Sequence, residues 1–240
     1  MTNPEIRDQA AIGRMFDRIA PRYDLLNALL SGRRDAAWRR VMIDAISYLP
    51  RGRVVDVATG TGDVLLEVAR RHPELTDLIG IDLSAEMLRV AREKHAARGG
   101  DTRLRFEQGE AARLSLPDAL ADVVTIAFGL RNVVEREQAL GEFSRVLKDE
   151  GMLLILEFFE PPPGIFSKLY NWYFKHVLPR LGGMLSDPSA YSYLPKSVEG
   201  FVSVPTLVGE MERHQLAFEE ERRFLFGACR LLRARRLARS

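Results

Sequence analysis

Cysteine and histidine are scarce in this chain: one cysteine, Cys229, and four histidines occur among 240 residues. A single cysteine cannot form an internal disulfide, and no cysteine or histidine has a partner at the spacing of zinc ligands. No Ser-His-Asp or Cys-His set can be assembled for nucleophilic catalysis either. The sequence therefore predicts no bound metal, no redox disulfide and no hydrolase chemistry.

An excess of charge of one sign and long apolar runs are also missing. The chain has 35 Lys and Arg against 33 Asp and Glu, a formal net charge of +2. This balance disfavours nucleic-acid binding, which needs a basic face. Apolar stretches such as 152–159 are far shorter than the about 20 residues of a membrane-spanning helix. The polar first residues lack the pattern of a secretory signal, so we expect a cytoplasmic protein.

From residue 53 onward, short aliphatic segments alternate with helical patterns. This alternation predicts an α/β fold with a doubly wound, mostly parallel sheet of seven strands, covered by helices on both faces. Five strands are predicted at 54–57, 78–81, 104–106, 123–128 and 153–158, and two closing strands at 217–223 and 224–232. Spacing of three to four residues predicts helices at 63–71, 85–98, 135–147 and 206–214.

The length suits one domain with four parts. Residues 1–50 are predicted to form a helical cap, because apolar residues from Trp38 to Leu49 recur at helical spacing. Residues 51–160 form the core that binds a ligand. The aromatic and proline-rich segment 161–205 is predicted to be a lid, and 206–240 supplies the closing helix, the last strands and a basic tail.

A glycine loop follows the first predicted strand, with the sequence DVATGTGD at 56–63. Small residues there allow a sharp turn and let the backbone approach a ligand at the next helix N-terminus. We therefore assign Asp56, Gly60 and Gly62 to a nucleotide-type site. The dinucleotide fingerprint requires a third glycine where this chain has Leu65, so NAD is disfavoured. The alternative is a loop that only makes a turn.

Two further strand ends carry groups that suit an adenosine. Asp82 closes the second strand, where a carboxylate can accept from both ribose hydroxyls. Glu110 follows the third strand and could accept from the adenine amine, while the Ala111 amide could donate to the ring. Asp82 could instead cap the next helix, a role for which Ser84 is better placed. Glu110 could instead be a solvated loop acid.

Four segments of the chain resemble the UbiE/MenG family of ubiquinone and menaquinone biosynthesis C-methyltransferases. They read FDRIAPRYDLLN at 16–27, DVATGTGD at 56–63, FGLRNV at 128–133 and DPSAYSYL at 187–194. The resemblance implies a Rossmann-like class I methyltransferase fold with S-adenosyl-L-methionine as cofactor. It also implies cofactor contacts at Thr61, at Asp82 and at the pair Glu110-Ala111. The family usually has Asn or Asp at position 110, and serine in place of Ala127.

The resemblance places a quinol ring near Tyr23, Arg131 and Asn132. A quinol carbon becomes nucleophilic when the adjacent hydroxyl loses its proton, and a fixed cation stabilises that oxygen. We assign this role to Arg131, which stays protonated, and the hydroxyl contacts to Asn132 and Tyr23. The structural alternatives are an Arg131 ion pair with a surface acid, an Asn132 helix cap and ordinary packing by Tyr23.

The leading functional prediction is C-methylation of demethylmenaquinol, in menaquinone biosynthesis. The nearest alternative is the corresponding step on a ubiquinone precursor, 2-polyprenyl-6-methoxy-benzoquinol. Two more remain open: methylation of another small aromatic at oxygen or nitrogen, and a non-catalytic module that binds S-adenosylmethionine.

Segment 158–185 combines aromatic residues with Lys168, Lys175 and Arg180, a composition that suits a prenyl tail and an anionic lipid face. The C-terminal arginines could also contact lipid head groups. We therefore predict a prenylated quinol as partner, peripheral contact with the inner face of the membrane, and a homodimer as the candidate assembly. A core helix at 158–185 and a disordered tail are the alternatives.

Overall fold

Seven strands form one mixed sheet in the computed structural model, which describes residues 8–24, 34–46, 49, 51–162, 164 and 197–238. The strand order across the sheet is β3-β2-β1-β4-β5-β7-β6. The strands are β1 (Arg53–Val57), β2 (Asp77–Asp82), β3 (Leu104–Gln108), β4 (Ala121–Ala127), β5 (Leu147–Phe158), β6 (Leu216–Phe224) and β7 (Cys229–Arg236).

The strand pairing creates a crevice at one edge of the sheet. Strands β1 to β5 are parallel, while β7 pairs antiparallel with both β5 and β6. From β1 the chain proceeds outward through β2 to β3 and then returns to β4 on the other side of β1. Ligands of open α/β sheets bind at such a reversal, outside the carboxyl ends of the strands.

Helices cover the two faces of the sheet. They are α1 (Gln9–Ile19), α2 (Asp35–Asp44), α3 (Asp63–Arg71), α4 (Ala85–Ala97), α5 (Arg136–Val146) and α6 (Val204–Arg213), with short 3-10 turns at Ala20–Arg22, Leu130–Asn132 and Leu225–Gly227. Helix α1 packs against α4. Helix α4 begins at Ser84, whose hydroxyl accepts from the Met87 amide. The glycine loop leads into α3, whose N-cap is Gly62 in the left-handed conformation.

Alternate residues of the central strands face two separate hydrophobic cores. Val54 faces the core formed with α2, α3 and α4, which contains Met42 and Leu65. Its neighbour Val55 faces the core formed with α5 and α6, which contains Phe143 and Met211. Because both faces are buried, the central strands read as continuous aliphatic runs in the sequence. The predicted doubly wound fold is confirmed.

The element boundaries differ from the predictions mainly around two strands. Strand β5 begins at Leu147, several residues before the predicted start, and α5 ends at Val146. The predicted last strand at 224–232 is wrong in position: Leu225, Phe226 and Gly227 all have positive φ, which makes a turn there, and β7 starts at Cys229. Left-handed residues cannot continue a strand.

The proposed cap and lid are only partly covered by the structure. The described residues before β1 include α1 and α2, whereas 165–196, the greater part of the predicted lid, lie outside the described residues. The division into cap, core, lid and closing segment therefore stays a prediction. Among the described helices, none has the length and apolar character needed to cross a membrane.

Candidate active site

A cavity that is partly open to solvent lies at the carboxyl edge of the sheet. Apolar and aromatic side chains with a few polar groups line it, as is usual for small-molecule sites. Its walls come from the residues that follow β1, β2, β3 and β4, and α1 covers it. The lining residues are Gln9, Ile12, Gly13, Phe16, Tyr23, Ala58, Gly60, Asp82, Leu83, Ser84, Met87, Gly109, Glu110, Ala111, Ala127, Phe128, Gly129, Asn132 and Val133.

The glycine loop has the tight turn that its sequence predicts. Ala58, Gly60 and Gly62 have φ values of 53°, 57° and 81°. A Cβ atom on Gly62 would come within 3.0 Å of the Phe106 ring, so this position has no room for a side chain without a shift of its neighbours. Gly60 lines the cavity, whereas Gly62 begins α3 behind it.

Asp56 lies beneath the glycine loop and does not line the cavity. Its side chain is 1% exposed, and its two carboxylate oxygens accept from the Thr59 and Thr125 hydroxyls, each at 2.6 Å. Burial raises the pKa of Asp56 to about 6, with a smaller contribution from Asp82, although the two threonine hydrogen bonds lower it. The structure therefore shows Asp56 supporting the loop through Thr59.

Asp82 lies in the cavity wall with both carboxylate oxygens anchored. One oxygen accepts from the Gly60 amide at 2.8 Å and the other from the Ser84 amide at 2.9 Å. The N-cap of α4 is Ser84, so the alternative that Asp82 caps this helix is wrong. Burial is the largest cause of a raised pKa for Asp82. A carboxylate has about four acceptor positions, so two remain for a ligand.

Glu110 and Ala111 follow β3 on the same side of the cavity, and both line it. Glu110 is exposed, which keeps the solvated-acid alternative open. Its backbone carbonyl accepts from the Arg113 amide at 3.1 Å and so closes a turn. Ala127, the last residue of β4, also lines the cavity.

Thr61 does not line the cavity but joins the glycine loop to the N-terminal segment. The buried Thr61 hydroxyl donates to Asp24 at 2.6 Å and accepts from the Lys94 ammonium at 2.9 Å. Lys94 also pairs with Asp24 at 2.5 Å and with Asp63 at 2.8 Å. These contacts hold the segment that carries Tyr23 beside the loop.

Tyr23 and α1 form the roof of the cavity. The Tyr23 ring lies edge-on to Phe16, with centroids 6.1 Å apart, and both residues line the cavity. Asp17 joins α1 to the N-terminus of α4, because its carboxylate accepts from the Ser84 hydroxyl at 2.6 Å. Sequence reasoning missed Phe16 and Asp17 as site residues, although both belong to the segment at 16–27.

Asn132 and Arg131 lie in the turn after β4 but point to different surroundings. Asn132 is 7% exposed and lines the cavity, and its amide donates to the Phe128 carbonyl at 3.4 Å. The N-cap of α5 is Glu135, so the alternative that Asn132 caps this helix is wrong. Arg131 does not line the cavity, and its guanidinium donates to the Phe128 carbonyl at 2.7 Å.

Arg131 forms a buried ion pair with Glu157, the penultimate residue of β5. The two side chains are 8% and 0% exposed, and the N–O distance is 2.5 Å. The partner is therefore a buried acid, where the sequence suggested a surface acid as the alternative. Sequence reasoning missed Glu157 as a site residue. The available signal was one charged residue within the apolar run 153–159.

Comparison with known proteins places this chain in a family. The model of the ubiE/COQ5 methyltransferase family matches residues 4–234. The ubiquinone/menaquinone biosynthesis C-methyltransferase UbiE of Geotalea daltonii is 48% identical over 80% of this chain and 82% of its own length. The demethylmenaquinone methyltransferase of Thermus thermophilus is also 48% identical, over 82% of this chain and 89% of its own.

A solved structure shows the same fold. A SAM-dependent methyltransferase from Aquifex aeolicus superposes with a TM-score of 0.64 at 18% identity and covers 96% of this chain and 99% of its own. The family match and the fold agree with the resemblance found in the sequence. The chain belongs to the ubiE/COQ5 methyltransferase family and is an S-adenosylmethionine-dependent methyltransferase.

Proposed function

We propose that this enzyme methylates a ring carbon of a prenylated quinol, and that the quinol is demethylmenaquinol. The observation that carries the proposal is one cavity whose lining combines polar and aromatic groups. Asp82 and the pair Glu110-Ala111 supply the polar groups, while Phe16, Tyr23 and Phe128 supply aromatic surface. The names of the curated relatives support a quinol acceptor.

The polar groups of the lining fit S-adenosylmethionine. Asp82 accepts from the ribose hydroxyls with its remaining acceptor positions, since its two protein hydrogen bonds already fix its orientation. Glu110 accepts from the adenine amine, and the Ala111 amide donates to the ring. The Gly60 backbone lies beside the cofactor, while Asp56, Thr61 and Gly62 hold the loop in shape from behind. The left-handed turns at 58–62 support this close approach.

The aromatic residues and Asn132 fit a flat aromatic ring with hydroxyls. Phe16 and Phe128 cover the ring faces, and Tyr23 and Asn132 bind its hydroxyl groups. Arg131 contacts the Phe128 carbonyl without lining the cavity, and it forms an ion pair with Glu157. We propose that Arg131 stabilises the negative charge that develops on the quinol oxygen, because its guanidinium donates to the Phe128 carbonyl and so polarises turn 128–132. Arg131 stays protonated and therefore never accepts a proton.

The chemistry is a substitution at carbon. S-adenosylmethionine supplies a methyl group that is already activated for transfer. The protein holds the quinol carbon in line with that methyl, and such positioning can contribute about 7–11 kcal/mol. Held by Asp82, Glu110 and Ala111, S-adenosylmethionine would supply the methyl group, with S-adenosylhomocysteine as the leaving group, and the proton of the ring carbon would pass to solvent. The apolar residues Ile12 and Phe128 line the cavity and limit the access of water to the reacting atoms.

We further propose that the enzyme works in the cytoplasm, at the inner face of the membrane. An acceptor with a long prenyl chain resides in the bilayer, so a protein that receives it must reach the lipid surface. The aromatic and basic composition of 158–185 supports this proposal. The net charge of only +2 disfavours a role on nucleic acid. We expect the protein to assemble as a homodimer.

The test is methyl transfer to three purified acceptors with methyl-labelled S-adenosylmethionine. The acceptors are reduced demethylmenaquinone, the 6-methoxy-benzoquinol with the same prenyl tail, and a catechol that is methylated on oxygen. We expect a carbon-methylated naphthoquinol, identified by mass spectrometry and by the new aryl-methyl proton signal. Faster turnover of the benzoquinol would move the assignment to the ubiquinone step. Labelled oxygen on the catechol, with no labelled quinol, would refute C-methylation.

A further inference from the structure

Glu157 is a fully buried carboxylate to which neither the sequence nor the proposed reaction gives a role. It lies at the carboxyl end of β5, with 0% of its side chain exposed. One oxygen accepts from the Arg131 guanidinium at 2.5 Å and from the Phe158 amide at 2.7 Å. The other accepts from the Arg131 backbone amide at 3.2 Å. Glu157 therefore holds both the backbone and the side chain of Arg131.

Arg131 extends this connection to the cavity. Its guanidinium donates to the Phe128 carbonyl at 2.7 Å, and the Asn132 amide donates to the same oxygen at 3.4 Å. Phe128 and Asn132 both line the cavity. Glu157 is thus two contacts away from the lining of the cavity: it contacts Arg131, and Arg131 contacts Phe128.

The turn that Glu157 holds has an unfavourable backbone. Phe128 has a φ of 58°, a conformation that a bulky side chain adopts only when its surroundings enforce it. The Phe128 amide donates to the Leu156 carbonyl at 2.7 Å, and its ring stacks on Phe158 at 4.9 Å. A Cβ atom on Gly129 would lie 2.5 Å from the Ala58 Cβ, so the turn also packs tightly on the glycine loop.

We propose that Glu157 is a positioning residue for methyl transfer: through Arg131 it holds turn 128–132 in the conformation that presents Phe128 and Asn132 to the acceptor. This inference rests on the proposed function. Stability alone does not explain the charge pair, because apolar residues of similar volume often replace buried ion pairs without loss of stability. The pair instead supplies several directional bonds that fix one conformation of the turn.

The chain offers a matched control for the Glu157→Gln variant. Arg136 and the buried Glu210 form a second ion pair, with N–O distances of 2.7 Å, and the Arg136 guanidinium lies 5.7 Å from the Phe201 ring centroid. Arg131 has the same distance of 5.7 Å to the Phe158 ring. The Arg136–Glu210 pair joins α5 to α6 and does not line the cavity. Glu210→Gln therefore tests the loss of a buried pair without the effect on the turn.

Three measurements separate a positioning role from a structural one. In Glu157→Gln we expect faster amide hydrogen exchange in 128–133, a kcat lowered by up to about 100-fold, and an unchanged Kd for S-adenosylhomocysteine. In Glu210→Gln we expect wild-type kcat and wild-type exchange at 128–133. The double variant Arg131→Gln/Glu157→Gln should lose no more kcat than Arg131→Gln, because both residues act through one connection.

Equal exchange at 128–133 in the two single variants, or equal kcat at saturating quinol, would overturn the proposal. If Glu157→Gln does not fold, Glu157→Asp keeps the charge, withdraws it by one methylene and allows the same comparison. The exchange measurement needs no turnover. A wild-type protein that binds S-adenosylhomocysteine but methylates no quinol would refute the proposed function, whereas the exchange comparison would still decide the positioning role.

Discussion

Replacing the buried Asp56 by asparagine should change how stability depends on pH. In the folded protein this carboxyl lies among aliphatic residues beneath the glycine loop, hydrogen-bonded by Thr59 and Thr125. Asparagine has the same shape and no charge. Its oxygen accepts from one threonine hydroxyl, and its amide donates to the other after that hydroxyl rotates. The Asp56→Asn variant therefore isolates the cost of the buried charge.

The magnitude follows from the pKa of Asp56, which rises from 3.8 to about 6 on folding. The folded state binds this proton more tightly than the unfolded state, so the protonated carboxyl stabilises the protein below pH 3.8. That contribution is lost as the pH rises through about 6, because the folded protein must then ionise a buried group. At about 1.4 kcal/mol per pKa unit, about 2–3 kcal/mol disappears between pH 4 and pH 7.

Urea unfolding at pH 4, 5, 6 and 7, followed by circular dichroism, measures this effect. The free energy of unfolding of Asp56→Asn, relative to wild type, should rise by about 2–3 kcal/mol from pH 4 to pH 7. Asp101→Asn is the control, because the Arg103 hydrogen bond lowers the pKa of Asp101 from its ordinary value of 3.8. The stability that Asp101 contributes is lost only as the pH falls below 3.8, so the free energy of unfolding of Asp101→Asn relative to wild type should stay nearly constant from pH 4 to pH 7. Parallel pH profiles for wild type and Asp56→Asn would refute the buried-charge argument.

The other predictions concern binding, catalysis and membranes. Calorimetry should show binding of S-adenosylmethionine or S-adenosylhomocysteine and none of NAD; NAD binding alone would contradict the cofactor assignment. Asp82→Ala should weaken S-adenosylhomocysteine binding by about 1.5–3 kcal/mol, the value of one charge-assisted hydrogen bond, whereas Asp77→Ala, at the opposite end of β2, should not. Arg131→Ala should lower turnover by about 100-fold while S-adenosylhomocysteine still binds, because the variant loses the contacts that hold turn 128–132 in place. Normal turnover in the folded variant would exclude a role of Arg131 in the reaction. The same change should destabilise the protein by about 3–5 kcal/mol in thermal melting, because it leaves Glu157 unpaired. Turnover should increase when the quinol is presented in anionic vesicles, with salt-sensitive flotation of the protein; equal turnover on a quinol without a tail would count against membrane contact.

Local sequence patterns were sufficient for most of the helices and strands, though not for the position of β7 or the start of β5, and for the residues at the ends of β1, β2 and β3. Strands that are buried on both faces have continuous aliphatic sequences, and the glycine loop needs residues that tolerate the left-handed conformation at fixed positions. Each pattern can therefore be recognised from a few consecutive residues. Helix capping is equally local. Ser84 stands immediately before the helical pattern of α4, and the structure confirms it as the N-cap. The carboxyl ends of parallel strands meet at one edge, which brought Gly60, Asp82 and Glu110 together as expected.

Only the tertiary structure decided which side chains face the cavity and which support it. Arg131 and Asn132 are neighbours in sequence, yet one pairs with Glu157 and the other lines the cavity. Thr61 contacts Asp24 and Lys94, more than 30 residues away on either side. The sequence by itself determined the four strands β1 to β4, the glycine loop and the residue types available at each strand end, but not the position of β7. Which buried charges pair depends on the distances between separate helices and strands, and no sequence periodicity encodes these distances. Burial makes the pairing necessary, because an unpaired charge inside the protein has a large free-energy cost.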